Sequence, residues 1–122
     1  MIIGKITTNE EAVVELEVFG LARRGKIEVV IDTGFTGHLL LPNDFINHLG
    51  LRRAGHRYGM LGDGNIATFQ LYRAKILWHN EEREVPVLGA RSGALVGMSL
   101  LSGSRVTLDV VTNGDVTIIP LL

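Results

Sequence analysis

The chain's clearest chemical signal lies in Val29-Val30-Ile31-Asp32-Thr33-Gly34-Phe35-Thr36-Gly37, where a lone carboxylate ends a wholly apolar strand and small, turn-forming residues follow at once. An acid at the edge of a core is costly unless it is hydrogen-bonded. Asp32 is therefore either a turn residue capping its own backbone or a carboxylate held ready for proton transfer. A bare Asp-Thr-Gly is a weak signal, but Ala94-Leu95-Val96-Gly97 repeats the plan of an apolar strand running into glycine, and short helical Met98-Ser99-Leu100-Leu101 follows it. The chain has no cysteine, so disulfides, thiolate metal sites and cysteine nucleophiles drop out and oxygen and imidazole chemistry remains.

Three other patterns fall short. Gly20-Leu21-Ala22-Arg23-Arg24-Gly25-Lys26 matches a phosphate-binding loop until Ile27, where a Ser or Thr should hold magnesium, and it leads into a strand where that loop needs a helix. His38, His48, His56 and His79 include no pair at i, i+4 with a glutamate between, so no metal site is expected. Gly97-Met98-Ser99 begins like a nucleophile elbow, but Leu101 stands where the closing glycine belongs. No cofactor is expected.

The elements that must position Asp32 are strands. Val14, Leu16 and Val18 alternate with Glu15 and Glu17, and Ile27, Val29 and Ile31 follow the same period of two, which is the pattern of half-buried strands. Gly20 to Gly25 should close them into a hairpin. Ala67, Phe69 and Leu71 share one parity while Ala74, Ile76 and Trp78 share the other, which predicts a bulge or sharp bend near Tyr72 or Arg73. Val106, Leu108 and Val110 read as a strand, joined by a two-residue Asn113-Gly114 turn to Val116 through Ile119. Helix is confined to a short segment opened by Pro42-Asn43-Asp44 and ended by Gly50, and to one turn after Gly97. The prediction is an all-β domain with one or two short helices, spanning residues 1–122 without repeats or linker.

Composition agrees with one globular domain: 122 residues, 46% hydrophobic and 20% charged. Twelve Lys and Arg against thirteen Asp and Glu leave a net charge of -1, so no electrostatic excess favours nucleic acid or an anionic membrane. The longest charge-free stretch, Ser92 to Ser104, is broken by Gly and Ser and is too short to span a bilayer. Met1-Ile2-Ile3-Gly4-Lys5 has no secretory pattern, so a cytoplasmic location is expected.

The two strand-to-glycine signatures, with Leu39-Leu40-Leu41-Pro42 after the first and a glycine-turn hairpin between them, resemble the retropepsin-like aspartic proteases, the single-lobe relatives of pepsin. The resemblance runs from about Gly25 to Val110. It implies a retropepsin-like barrel in which Asp32 is the catalytic aspartate and Thr33 and Gly34 complete the motif, the threonine hydroxyl bonding across a dimer. It implies that Leu95-Val96-Gly97 is threaded beside the Asp32 loop, and that Leu61-Gly62-Asp63-Gly64-Asn65 forms a flap over the substrate, with Asp63-Gly64 also good turn chemistry in its own right. Phe35, Leu61, Gly62, Asp63 and Gly64 would then contact substrate, with Asp63 taken as a solvated turn residue rather than a catalytic one. Phe35 departs from most relatives, which put Ser, Thr or Ala there; Asp-Thr-Gly-Phe is similar to a prokaryotic branch of the family. The ring either narrows the site or packs inward.

Aspartic proteolysis requires two facing carboxylates, one ionised to activate water and one protonated to polarise the scissile carbonyl. Asp109 and Asp115 lack Thr-Gly after them, so the second carboxylate should come from a second copy across a two-fold axis. Two negative charges about 4 Å apart at an effective dielectric of about 20 cost about 4 kcal/mol, so the pair should share one proton. The reading favoured is a homodimeric aspartic endopeptidase acting on a peptide or protein substrate. The alternative is a catalytically silent dimer that binds peptides or serves assembly on the same fold. An intact Asp32-Thr33-Gly34 favours the first, because a binding module has no reason to place a carboxylate on a dimer axis. The apolar ends, Ile2-Ile3 and Ile118-Ile119-Pro120-Leu121-Leu122, suggest that the termini help join the two copies.

Overall fold

The computed structural model describes residues 1–60 and 62–122. In chain order it contains β1 (Ile2–Ile6), β2 (Ala12–Phe19), β3 (Arg24–Ile31), β4 (Leu39–Pro42), α1 (Asn43–Leu49), β5 (Arg52–Met60), β6 (Ile66–Trp78), β7 (Glu81–Ala90), β8 (Leu95–Val96), α2 (Met98–Leu101), β9 (Ser104–Leu108) and β10 (Asp115–Pro120). The fold is all-β. The sheet runs β5-β6-β7-β4-β8-β3-β2-β1-β10-β9, and an added pairing of β6 with β2 closes β6-β7-β4-β8-β3-β2 into a ring. Beyond that ring, β5 hangs on β6 as the outer arm of a long hairpin, while β1, β10 and β9 extend from β2.

The alternating pattern decides what the ring encloses. Val14, Leu16 and Val18 on β2 are buried, as is Val29 on β3, and they meet Leu39, Leu41, Ile76, Val85, Val87 and Val96 in one core. β2 and β3 pair from Val13↔Val30 to Phe19↔Arg24, so the Gly20–Gly25 region is a hairpin connection as expected. Its tip leans on α1: the amides of Leu21 and Ala22 donate to the Gly50 and Leu49 carbonyls. A Cβ on Gly20 would lie 2.1 Å from the Leu49 oxygen, so glycine is required by close approach. α1 buries Ile46 and Leu49 and ends at Gly50, whose left-handed φ of 68° lets its amide reach the Asn47 and Ile46 carbonyls. None of the described residues in a helix forms a span long and apolar enough to cross a membrane.

Two sequence expectations are corrected. The parity change in β6 occurs between Leu71 and Tyr72 without any bulge in β6, which pairs with β7 in unbroken register; the extra residue, Ala54, sits on β5 opposite this point. At the other end of the chain, β9 stops at Leu108 and pairs Leu108↔Val116, so residues 109–114 form a longer connection and Val110 and Val111 are exposed. Asn113 does adopt the left-handed turn conformation, with φ 62°, but its amide donates to Ile6 O and the Ile6 amide donates to Gly114 O. The turn is captured by the end of β1, a contact that no local pattern encodes. At the termini, β1 lies between β2 and β10, and β10 between β1 and β9. Their ladder edges are filled, and Ile118 is fully buried in the protomer's own core.

Candidate active site

The loop after β3 is built by a strand crossing. β8 is only Leu95–Val96, yet it lies parallel to β3 (Ile31↔Val96) and antiparallel to β4 (Leu39↔Val96). The chain leaving β3 at Asp32 must therefore pass over β8 to reach β4. Hydrogen bonds pin the crossing on both sides. The Asp32 amide donates to Val96 O at 2.9 Å, the Gly97 amide to His38 O at 3.1 Å, the Met98 amide to Phe35 O at 2.8 Å and the Ser99 amide to Gly37 O at 3.1 Å. Gly97 is buried where the loop presses closest, since a Cβ there would lie 2.2 Å from Gly37 O and 2.6 Å from Phe35 O. No side chain fits this approach.

Asp32 is half-buried at the start of the crossing, and its Oδ1 accepts the Gly34 amide at 2.9 Å. That bond leaves the second carboxylate oxygen, Oδ2, without a protein partner among the described residues. Thr33 and Gly34 are exposed. Phe35 is half-buried, with its ring against Gly37 and Gly97, where added Cβ atoms would lie 2.5 and 2.7 Å from it. The ring thus covers the crossing and stays outside the main core cluster.

Beside Thr33 lies a groove of about 480 Å³ lined by Ile31, Thr33, Met98, Leu101, Val106 and Leu108 among others. Two of these apolar residues, Met98 and Leu108, are more than two-fifths exposed.

A second feature follows from register. Cross-strand partners share a face and successive residues alternate faces. Val30↔Leu95, Leu95↔Leu40, Leu40↔Leu88 and Leu88↔Leu71 form one unbroken row across β3, β8, β4, β7 and β6. All five residues are half-buried, on the face away from the core residues Val29, Val96, Leu39 and Val87. Asp32, two residues beyond Val30, continues on that face. The row forms an apolar floor with a carboxylate at one end. On the hairpin, Phe69 and Ala67 share the parity of Leu71, with Arg57 and Gly59 opposite them on β5.

The hairpin tip bears the remaining candidates. Gly62, Asp63 and Gly64 are exposed, and Asp63 accepts the Asn65 amide at 3.0 Å through Oδ1 and the Asn65 side-chain amide at 3.0 Å through Oδ2. Asp63 is therefore spent on its own turn. Leu61 lies outside the described residues. Among those described, no hydrogen bond or ion pair joins Gly62, Asp63 or Gly64 to the Asp32 loop.

Two residues that the sequence offered only for other roles, Ser99 and His38, stand at this loop. The Ser99 hydroxyl donates to the Thr36 carbonyl, while its amide holds Gly37, so one residue fastens two consecutive residues near the end of the Asp32 loop. The signal was present: Thr36 to Ser99 repeats the 63-residue offset from Gly34 to Gly97. His38 ends the loop half-buried, and burial first, then the guanidinium groups of Arg83, Arg57 and Arg73, hold its imidazole below the ordinary histidine range. No protein-family model and no curated protein matches the chain.

Proposed function

We propose that the protein is a homodimeric aspartic endopeptidase of retropepsin-like type, with the Asp32 carboxylates of two copies meeting across a two-fold axis. The observation that carries this reading is the crossing itself: an Asp-Thr-Gly loop locked over Leu95-Val96-Gly97, with Asp32 half-buried, one oxygen held by the Gly34 amide, and the carboxylate at the end of an apolar floor. A turn aspartate that only caps its backbone has no use for such a brace. The floor suits an extended peptide, and the β5–β6 hairpin is the element to cover it. The groove beside exposed Thr33 supplies apolar surface for the second copy.

In this mechanism one Asp32 of the pair is ionised and takes a proton from water, while the other is protonated and polarises the scissile carbonyl. The Gly34 amide fixes the carboxylate plane. Ser99, as a positioning residue, holds the loop through Thr36 and Gly37. The test is a crystal structure of the assembled protein, read at the distance between the two Asp32 carboxylates. A pair within hydrogen-bond reach, or sharing one water, supports the reading; a pair held apart by the Phe35 rings sinks it. The catalytically silent dimer is the second reading. It is favoured by Phe35, which places a half-buried ring and no hydroxyl next to the Asp-Thr-Gly.

A further inference from the structure

The apolar floor changes character at its far side. Arg57 stands on the same face as Phe69 and Leu71, and Arg73 follows Leu71 on that face opposite Pro86. Arg52, opposite Arg73, belongs to the same cluster. The acid on this face that reaches the cluster is Glu84, which is shared by Arg73 at 3.3 Å and Arg52 at 3.7 Å. Arg57 has no ion pair among the described residues and is exposed, while Arg83, opposite Ile76, belongs to the other face. One carboxylate thus faces several guanidinium groups at the edge of the floor, although the chain as a whole has a net charge of -1. At the end of the Asp32 loop, burial first, then the charges of Arg83, Arg57 and Arg73, hold the His38 imidazole below the ordinary histidine range.

Such a concentration of cations beside an unpartnered apolar face favours an acidic ligand. The span is set by strand geometry. β5, which carries Arg57, lies five inter-strand spacings from β3, which ends before Asp32; measured along the sheet that is about 24 Å, or about seven residues of extended peptide.

Resting on the endopeptidase reading of the same cleft, we propose that the substrate is an acidic peptide, with an Asp or Glu within about seven residues of the scissile bond bound by Arg57 beside Arg73. Arg57 would supply a charge-assisted hydrogen bond at the exposed edge.

The experiment uses the full chain carrying Asp32→Asn, so that binding is read without turnover. Octapeptides of one apolar sequence that differ only by Glu, Gln or Lys at a single position are titrated by fluorescence anisotropy. The expected result is Glu tighter than Gln by about 10-fold and Lys weaker than Gln, with the Glu advantage lost in Arg57→Gln and shrinking as salt is raised. Equal affinities, or a preference for Lys, would overturn the inference. The same peptides are then given to the unsubstituted protein and the products identified by mass spectrometry. Acid-selective binding without cleavage by the parent removes the endopeptidase reading and leaves an acidic-peptide binder, whereas cleavage without acid preference removes the specificity and leaves the peptidase.

Discussion

Strands β3, β8, β4, β7 and β6 carry two parallel rows of apolar residues, each one position from the other in sequence. Ile31, Val96, Leu39, Val87 and Tyr72 form the first row, and Val96, Leu39 and Val87 in it are 0 to 1% exposed. Val30, Leu95, Leu40, Leu88 and Leu71 form the second, and every one is half-buried. The strands, the pairing and the residue types are the same. What differs is cover: the first row faces the packed interior of the ring, and the second lies on the opposite face, where the core does not cover it. Apolar side chains left half-covered are surface awaiting a ligand or partner. The difference teaches that one face of this sheet is closed over by the core and the other is left half-covered.

The largest effect expected falls on the second face. Asp32→Asn should lower peptide cleavage by about 10²- to 10⁴-fold while leaving the dimer as stable or more so, because a repulsion between like charges is removed. Retained cleavage would take Asp32 out of the chemistry. The two rows can next be set against each other by denaturant unfolding. Leu39→Ala should cost about 2–5 kcal/mol, and Leu40→Ala about 1 kcal/mol, since half-covered apolar area contributes less, with its loss appearing instead in peptide affinity. Equal stability losses at the two positions would erase the distinction between the faces.

Glycines offer a third contrast. Gly97→Ala should destabilise by about 1–3 kcal/mol through collision with the Gly37 and Phe35 carbonyls. Gly62→Ala, where an added Cβ meets nothing within 4 Å, should stay within about 0.5 kcal/mol. The smallest effect is in pH. His79 accepts or donates one hydrogen bond with Ser104 at 2.8 Å, and its Nδ1 is buried without a partner. Burial first, then the chain's amino terminus and Arg83, lower its pKa, with Glu81 opposing. The unfolded chain then takes up a proton first as pH falls, so the stability is present above the ordinary histidine value of about 6.5 and is lost below it. His38 is shifted in the same direction. The melting temperature should therefore fall between about pH 7 and 5, and His79→Asn, which tolerates the left-handed φ of 52° found there, should flatten part of that slope.

The all-β class, the β2–β3 hairpin, α1 with its Gly50 stop and the turn of α2 were legible because each depends on period, glycine placement and local turn chemistry. The turn at Asp32-Thr33-Gly34 was legible for the same reason: small residues follow an acid at the end of an apolar strand. His79 was not, since it reads as a solvated histidine until the His79–Asn80 turn, with both φ positive, brings it to Ser104. The Asn113-Gly114 turn failed in the opposite way. Its chemistry was right for a tight hairpin, but two backbone bonds to Ile6 outweighed the local preference.

The sequence alone determined which residues alternate, where the chain must turn and where a carboxylate stands beside small residues, because these follow from side-chain chemistry within a few positions. Only the tertiary structure decided that β8 passes between β3 and β4, that the termini pair within one chain, and that Val30, Leu95, Leu40, Leu88 and Leu71 align into one floor ending at Asp32. Register between distant strands is set by which faces find cover in the assembled core, and that is a property of the whole chain.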